Sequence, residues 1–295
     1  MDSIKSAIRE LSGARSLLTL TATVAEVADV SPGFIRLVLN GDDLAEYTDP
    51  RPADAFKAML PDPTQPAGVA VEAPTRGDDG LPRWEGLPPV LRALSVRSFD
   101  PETHTMIVDV ARHAHGVLAD WLSRIGPGDS VTFSGMRTEW HLPDDVERAV
   151  LFADPAGLPA LAAILESLPA EFPAVAVVSV EDGADIALLP PRDAVHVHVV
   201  DDLREVSADT LPHLGADGRL MGWIAAETSA VRHLRLVLKN DLGVAPTDML
   251  ARAYWTRDID SSQADAADLV KYQEAIAAGA DVSDPALAER ISLGE

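Results

Sequence analysis

Arg92-Ala93-Leu94-Ser95-Val96-Arg97 closes an apolar run that begins at Val90. It is followed by Thr105-Met106-Ile107-Val108-Asp109-Val110 and then by His113-Ala114-His115-Gly116-Val117-Leu118-Ala119-Asp120-Trp121. The first segment reads Arg-x-x-Ser-x-Arg at the end of a strand, which brings two guanidinium groups and a hydroxyl close together. A guanidinium fork clamps a pyrophosphate through charge-assisted hydrogen bonds, and a small hydroxyl fits beside a planar ring. The pattern suits a flavin nucleotide. Two arginines near a strand are also common on a solvated edge, so the surrounding chain decides what the segment means.

Upstream, residues Ser3 to Leu18 read as a leading helix. Leu18–Val24, Phe34–Leu39 and Asp54–Leu60 read as strands, rich in β-branched residues and separated by turns such as Ser31-Pro32-Gly33. Asp62–Pro89 is dense in Pro, Gly and Asp and reads as a long loop, functional or mobile rather than rigid. Strands over Val90–Val96, Thr105–Val110 and Ser130–Ser134, with a short helix over Val117–Ile125, complete a small antiparallel barrel or sandwich.

Downstream the rhythm changes. Strands at Ala149–Ala153, Ala174–Val180, Val195–Val200, Arg219–Ala225 and Met249–Trp255 alternate with helices at Leu158–Leu168 and Ser229–Leu242. That alternation predicts a mostly parallel sheet with crossover helices. The rhythm breaks near Pro143–Arg148, which gives domains over 1–146 and 147–258. An acidic helical tail follows over 259–295, with one helix from about Ala264 to Ala278 and then a loose end.

The chain has 295 residues, a formal net charge of -23 and no cysteine. The charge argues against nucleic acid and anionic membrane surfaces as partners, because phosphate binding needs clustered Lys and Arg. The absence of cysteine excludes disulfides, zinc-thiolate sites, iron–sulfur clusters and a thiol nucleophile. The first residues lack the apolar run of a signal peptide, and no segment is apolar for long enough to span a bilayer, so a cytoplasmic protein is expected.

Several segments, in order from about Leu18 to Arg257, resemble motifs of the siderophore-interacting protein family. Arg92–Arg97 resembles its Arg-x-Tyr-Ser/Thr-x-Arg, and His113–Trp121 its His-x-x-Gly-Pro-Ala-x-x-Trp. Gly126-Pro127-Gly128-Asp129 with Gly135-Met136-Arg137 is similar to its Pro-Gly-Asp and Gly-Pro-Arg-Gly. Ala153–Ala160, Trp223–Glu227 and Ala253–Arg257 are similar to its Gly-Asp-Glu-Thr-Ala-Leu-Pro-Ala, Trp-Val-Ala-Gly-Glu and Gly-Tyr-Trp-Arg.

The resemblance implies a flavin-reductase-like antiparallel β-barrel followed by a nucleotide-binding-type α/β domain. It implies FAD as cofactor, NAD(P)H or reduced ferredoxin as electron donor, and a ferric siderophore as substrate. Arg92 would hold the pyrophosphate, Leu94 would lie where the flavin ring packs, Ser95 would face the flavin edge and Arg97 would sit near the phosphates. His113, the backbone of Gly116, Val117, Leu118 and Ala119, and Gly135 complete the cofactor set. Lys57 and Arg257 would attract the anionic siderophore. No metal site is implied.

The chain departs from the family pattern at Leu94 (for Tyr), Val117 and Met136 (for Pro), Thr138 and Ala226 (for Gly), and Pro155 and Ala156 (for Glu and Thr). These departures fall at cofactor-facing positions. They keep open two other readings: an enzyme of specialised metabolism with changed cofactor use, acting on an organic substrate between the domains, and a non-catalytic small-molecule binder. The remaining candidates read as structural. His113/His115 and His196/His198 are spaced for chelation but lack a third ligand. Asp42-Asp43 and Asp201-Asp202 read as turn and cap residues, and Glu227-Thr228-Ser229 as a helix cap. Trp121, Trp223 and Trp255 read as core, and Arg232, Arg235 and Lys239 as a solvated helix face.

Overall fold

The computed structural model describes residues 3–15, 18–76, 82–85, 87–211, 218–259, 261–280 and 285–293. The chain forms two compact units, Ser16–Arg137 and Met1–Arg15 with Thr138–Glu295. The sequence reading placed the boundary at 146 and gave the leading helix to the barrel. Strand pairing instead runs on to Arg137. From Thr138 the chain is tied to the second unit: Arg15 donates to Thr138 Oγ1 at 3.1 Å, and Glu139 forms a buried ion pair with Arg252 at 2.9 Å.

After a leading helix α1 (Ile4–Gly13), the first unit opens on β1 (Leu18–Ser31), β2 (Phe34–Asn40) and β3 (Ala55–Leu60). A two-stranded ribbon, β4 (Thr75–Arg76) and β5 (Pro82–Arg83), leads to β6 (Val90–Ser95), β7 (Ser98–Asp100) and β8 (Thr105–Ala111). Helix α2 (Val117–Leu122) and β9 (Ser130–Arg137) finish the unit. The antiparallel sheet has the order β6-β3-β9-β1-β2-β8-β7. Its first and last strands are consecutive in sequence, so the segment Val90–Asp100 lies on both edges and closes the barrel.

Strand β1 serves both halves: Leu18–Thr23 pairs with β9, and from Thr23 onward it pairs with β2. A bulge at Ala25, between Val24 and Glu26, bends it. Alternate residues along the strands fill the interior, with Phe56 and Phe133 rings 4.8 Å apart. The expected long loop is partly fixed. Trp121 Nε1 and Arg124 donate to the carbonyls of Ala67 and Gln65, and the Ser130 amide donates to that of Gly68. Residues 77–81 and 86 of that loop lie outside the described residues.

The second unit carries β10 (Arg148–Ala153), α3 (Leu158–Ser167), β11 (Ala174–Val178), β12 (Val195–Val199), β13 (Leu220–Glu227), α4 (Thr228–Leu236) and β14 (Met249–Trp255). The sheet is wholly parallel in the order β12-β11-β10-β13-β14. Its central strands are apolar from Ala149 to Ala153 and from Ala174 to Val178, as a sheet covered on both faces requires. The chain first moves outward from β10 to β12, then returns to β13 on the other side. Right-handed crossovers therefore put α3 and α4 on opposite faces, and the direction of winding reverses between β10 and β13. Gly157, at the start of α3, permits close contact with β13, since a Cβ there would lie 2.2 Å from the Ala225 carbonyl oxygen.

The tail differs from its expected form. After α5 (Ser261–Ala277) the chain forms a further helix, α6 (Pro285–Leu293), rather than a loose end. Its Leu287, Ile291 and Leu293 are buried. Arg232 and Arg235, read as solvated, anchor it: Arg235 pairs with buried Glu289 at 3.1 Å, and Arg232 donates to the Leu293 carbonyl. Among the described residues, no helix is long and apolar enough to cross a membrane.

Candidate functional site

The barrel seam gathers the residues singled out from sequence. Arg92 lies opposite Ala58 and Leu94 opposite Phe56, both on β6 against β3. The next two residues cross from one edge to the other. The Val96 amide donates to the Asp54 carbonyl at 2.8 Å, and the Arg97 amide donates to the Ile107 carbonyl at 2.9 Å. Arg92 and Ser95 are buried, and Arg92 Nη1 donates to the Leu91 carbonyl at 2.8 Å. Buried Asp109 is held by Arg36 through two hydrogen bonds of 2.7 and 2.8 Å, with the Arg97 guanidinium a further 3.9 Å away. Leu94 is half-buried and packs on the barrel core.

Strand β8 then leads through exposed His113 to α2. Its N-cap Gly116 contributes no side-chain hydrogen bond, and the space where a Cβ would stand is open. The first-turn amides of Val117, Leu118 and Ala119 therefore carry no side-chain cap from this position. Val117 and Leu118 pack on the core from the other side of the helix. Gly135 lies on β9 at φ 122°, beside a bulge in which Met136 has no partner residue on β3 and adopts φ 70°. The proline that the family carries there could not adopt that angle. Thr138 has a local explanation as well, since it is buried and bonded to Arg15. Two guanidinium groups, an uncapped helical turn facing open space and a half-buried apolar side chain fit an anionic cofactor with a planar ring. Lys57 is half-buried on β3, beside Ala93 and Ser134.

In the second unit, the carboxyl ends of β10, β13 and β14 meet at the point where the winding reverses. Asp154 is 5% exposed and accepts four hydrogen bonds. The Ala156 and Gly157 amides reach Oδ1 at 2.9 and 3.3 Å; the Glu227 amide and the Trp255 indole reach Oδ2 at 2.8 and 2.7 Å. Burial pushes its carboxyl above the ordinary value, against the pull of those four donors. Glu227 caps α4, its Oε2 accepting from the Ser229 and Ala230 amides at 2.7 and 3.3 Å, while Oε1 accepts from the Arg257 amide. Burial opposes ionisation of Glu227, but these bonds and that from the Ser229 hydroxyl outweigh it and hold the carboxyl below its ordinary value.

Trp121 and Trp223 are core, but Trp255 is 40% exposed, held by its indole rather than by packing. Arg257 is exposed, and Asp202 acts as the cap expected of it, accepting from the Arg204 amide at 2.8 Å. The histidine pairs form no metal cluster with other His, Asp or Glu among the described residues.

Residues 23–140 match the siderophore-interacting FAD-binding domain, and residues 146–258 match the siderophore-interacting protein domain. The chain belongs to the siderophore-interacting protein family. A relative from Escherichia coli K12, the NADPH-dependent ferric-chelate reductase, is 30% identical over 238 residues, which are 79% of this chain and 91% of the relative. Ferric vibriobactin reductase ViuB of Vibrio cholerae is 25% identical over 238 residues, 77% of this chain and 86% of that protein. The structure of the siderophore interacting protein from Acinetobacter baumannii shares the fold, with a TM-score of 0.72 at 21% identity over 89% of this chain and all of that one. The expected fold, a barrel followed by a parallel α/β sheet, is thus that of the siderophore-interacting family. Sequence reasoning missed the Asp154 clamp and the buried Glu139–Arg252 pair. The Glu227 and Trp255 donors of Asp154 and the Arg252 partner of Glu139 lie far along the chain, and no local spacing signals them.

Proposed function

We propose that this protein is an FAD-dependent ferric-siderophore reductase that takes electrons from a reduced nicotinamide. The observation that carries the reading is the barrel seam: Arg92, Leu94, Ser95 and Arg97 stand together at the closure of a domain matching the family's FAD-binding domain. When bound, FAD supplies a carrier that accepts electrons in pairs and delivers them singly to iron. Iron(II) is held less tightly by siderophore chelators than iron(III), so reduction releases the metal.

The roles of the chain's own residues follow from their chemistry. Arg92 and Arg97 neutralise the pyrophosphate, and the first-turn amides of α2 donate to its oxygens. Leu94 gives an apolar surface to the ring, and Ser95 places a hydroxyl at its edge. His113 borders the phosphate turn, and Gly135 keeps β9 free of a side chain. Lys57 and Arg257, each accessible in its own unit, attract the anionic ferric chelate.

The visible spectrum of the purified protein tests the reading. The expected result is a flavin spectrum that bleaches under a reduced nicotinamide without oxygen and returns when a ferric siderophore is added. A colourless protein that takes up no added FAD overturns it.

A further inference from the structure

The outer edge of β12 is a surface that the reductase reading does not use. We propose that two copies of this chain associate through it, pairing β12 with β12 antiparallel about a twofold axis at Val197 and joining their parallel sheets into one. This goes beyond the function above and does not depend on it.

Strand β12 ends the sheet, with β11 on one side and, among the described residues, no strand on the other. The Ala174 amide donates to the Ala194 carbonyl at 3.1 Å, and the Val200 amide to the Val178 carbonyl at 2.9 Å. The register between them runs without a bulge. Alternate residues of a strand address the same neighbour, so His196 and His198 bond to β11 while Val195, Val197 and Val199 turn their backbone groups outward. The Val195 amide is occupied, donating to the Arg192 carbonyl at 3.1 Å. The Val197 and Val199 amides and the carbonyls of all three valines remain along the edge. Edge strands are commonly guarded by Lys, Pro or a bulge. Val195–Val199 has none of these, and Val199 is 50% exposed.

The sequence selects a second copy as the occupant. Val195-His196-Val197-His198-Val199 reads the same in both directions. Laid antiparallel on itself, Val197 meets Val197 of the other copy and exchanges two hydrogen bonds with it. Each Val199 meets Val195 of the other copy and donates to its outward carbonyl. His196 and His198 then meet at non-hydrogen-bonded positions, where Cα atoms approach to about 4.5 Å and side chains lie closest. The valines form β-branched cross-strand pairs on the opposite face. Only a residue that faces outward can sit on the axis. An axis at Val195 would set Asp193 against Val197, and one at Val199 would set Asp201 there; both acids are exposed. Val197 is the axis that keeps these carboxylates outside the paired residues. The interface is isologous and closes on itself, so association stops at two copies. It is also small, which predicts a dissociation constant of about 10–100 μM. Asp193 and Asp201 of the two copies still approach one another at its ends, so salt should tighten it.

Sedimentation velocity of the full-length protein between about 1 and 300 μM tests the proposal. The average coefficient should climb with concentration to the dimer value and level there, doing so at lower concentration in about 150 mM than in about 10 mM sodium chloride. Val197→Pro removes the central amide while sparing the bonds to β11, and should weaken association at least tenfold with the far-ultraviolet spectrum unchanged. The chain has no cysteine, so disulfide trapping reads the register directly. His196→Cys and His198→Cys proteins, mixed and oxidised, should cross-link. Either alone should give at least tenfold less product, because like positions then lie on a diagonal of about 7–8 Å, beyond the reach of a disulfide. A monomer at every concentration, growth beyond two copies, a folded Val197→Pro protein that still associates, or equal cross-linking by the single variants overturns the proposal. Where Val197→Pro alters the spectrum, the trapping result decides alone.

Discussion

Leu94 stands where the resemblance to the family leads one to expect a tyrosine, and the structure gives it a definite place. It is half-buried opposite Phe56 and packs on the barrel core, so an aromatic ring there would extend over the same surface. Leu94→Tyr is expected to tighten FAD binding several-fold, read by equilibrium dialysis of the protein stripped of flavin. Unchanged affinity would remove the ring from that position. Asp154 offers a prediction of a different kind. Its carboxyl titrates higher in the folded protein than the ordinary 3.8, because burial disfavours the charge. From that value up to the shifted one, the folded state holds more proton than the unfolded state. Stability therefore falls as pH rises through that window and is level beyond it. Asp154→Asn should flatten this slope in urea titrations at several pH values. At neutral pH it should also cost about 1–3 kcal/mol, since an amide group turns two protons towards donors that need acceptors. The arginines and serine of the seam were legible because they are adjacent in sequence. Asp154 was visible only as a motif residue, because two of its four donors, Glu227 and Trp255, come from β13 and β14.

Among the elements, the strands were the most legible, since β-branched alternation and turn residues mark them locally. Their order in the sheets was less so. The second tail helix was not foreseen and the place of α1 was misjudged, because both are held by residues distant in sequence: α6 by Arg232, Arg235 and Lys5, and α1 by β14 and α6. Helices α1 and α6 both pack against β14, the edge strand of the parallel sheet. Glu289 of α6 is 2% exposed and bridges Lys5 of α1, at 2.7 Å, and Arg235 of α4, at 3.1 Å. Removing a buried partner from an ion pair is costly when the other charge stays buried. Lys5 and Arg235 keep contact with water, so Glu289→Ala should cost only about 1–2 kcal/mol. Faster tryptic cleavage within 285–293, with the far-ultraviolet spectrum of the rest retained, would show that α6 has been released. Unchanged cleavage would mean that the apolar contacts of Leu287, Ile291 and Leu293 hold it alone.

Over the whole molecule, a net charge of -23 sets carboxylates against one another in the compact state. Added salt screens that repulsion over about 10 Å at 0.1 M. The melting temperature is therefore expected to rise between 10 and 150 mM sodium chloride, by about 2–4 °C for each kcal/mol regained. A flat or falling curve would mean that the ion pairs at α6, Asp109 and Arg252 outweigh the repulsion. The division into an antiparallel barrel and a parallel sheet was legible from rhythm alone. The boundary was not, because it follows hydrogen bonds of Arg15 and Arg252 that no composition shift records. The barrel itself has a further consequence. The Val96 and Arg97 amides bond to carbonyls on opposite lips of the sheet, so both are exposed to exchange when the closure breathes. A ligand held by Arg92 and Arg97 is expected to stabilise the closed segment and to slow deuterium uptake at the same two amides, as its affinity rises. A hoop and a hand are here the same eleven or so residues: what loosens the grip opens the staves.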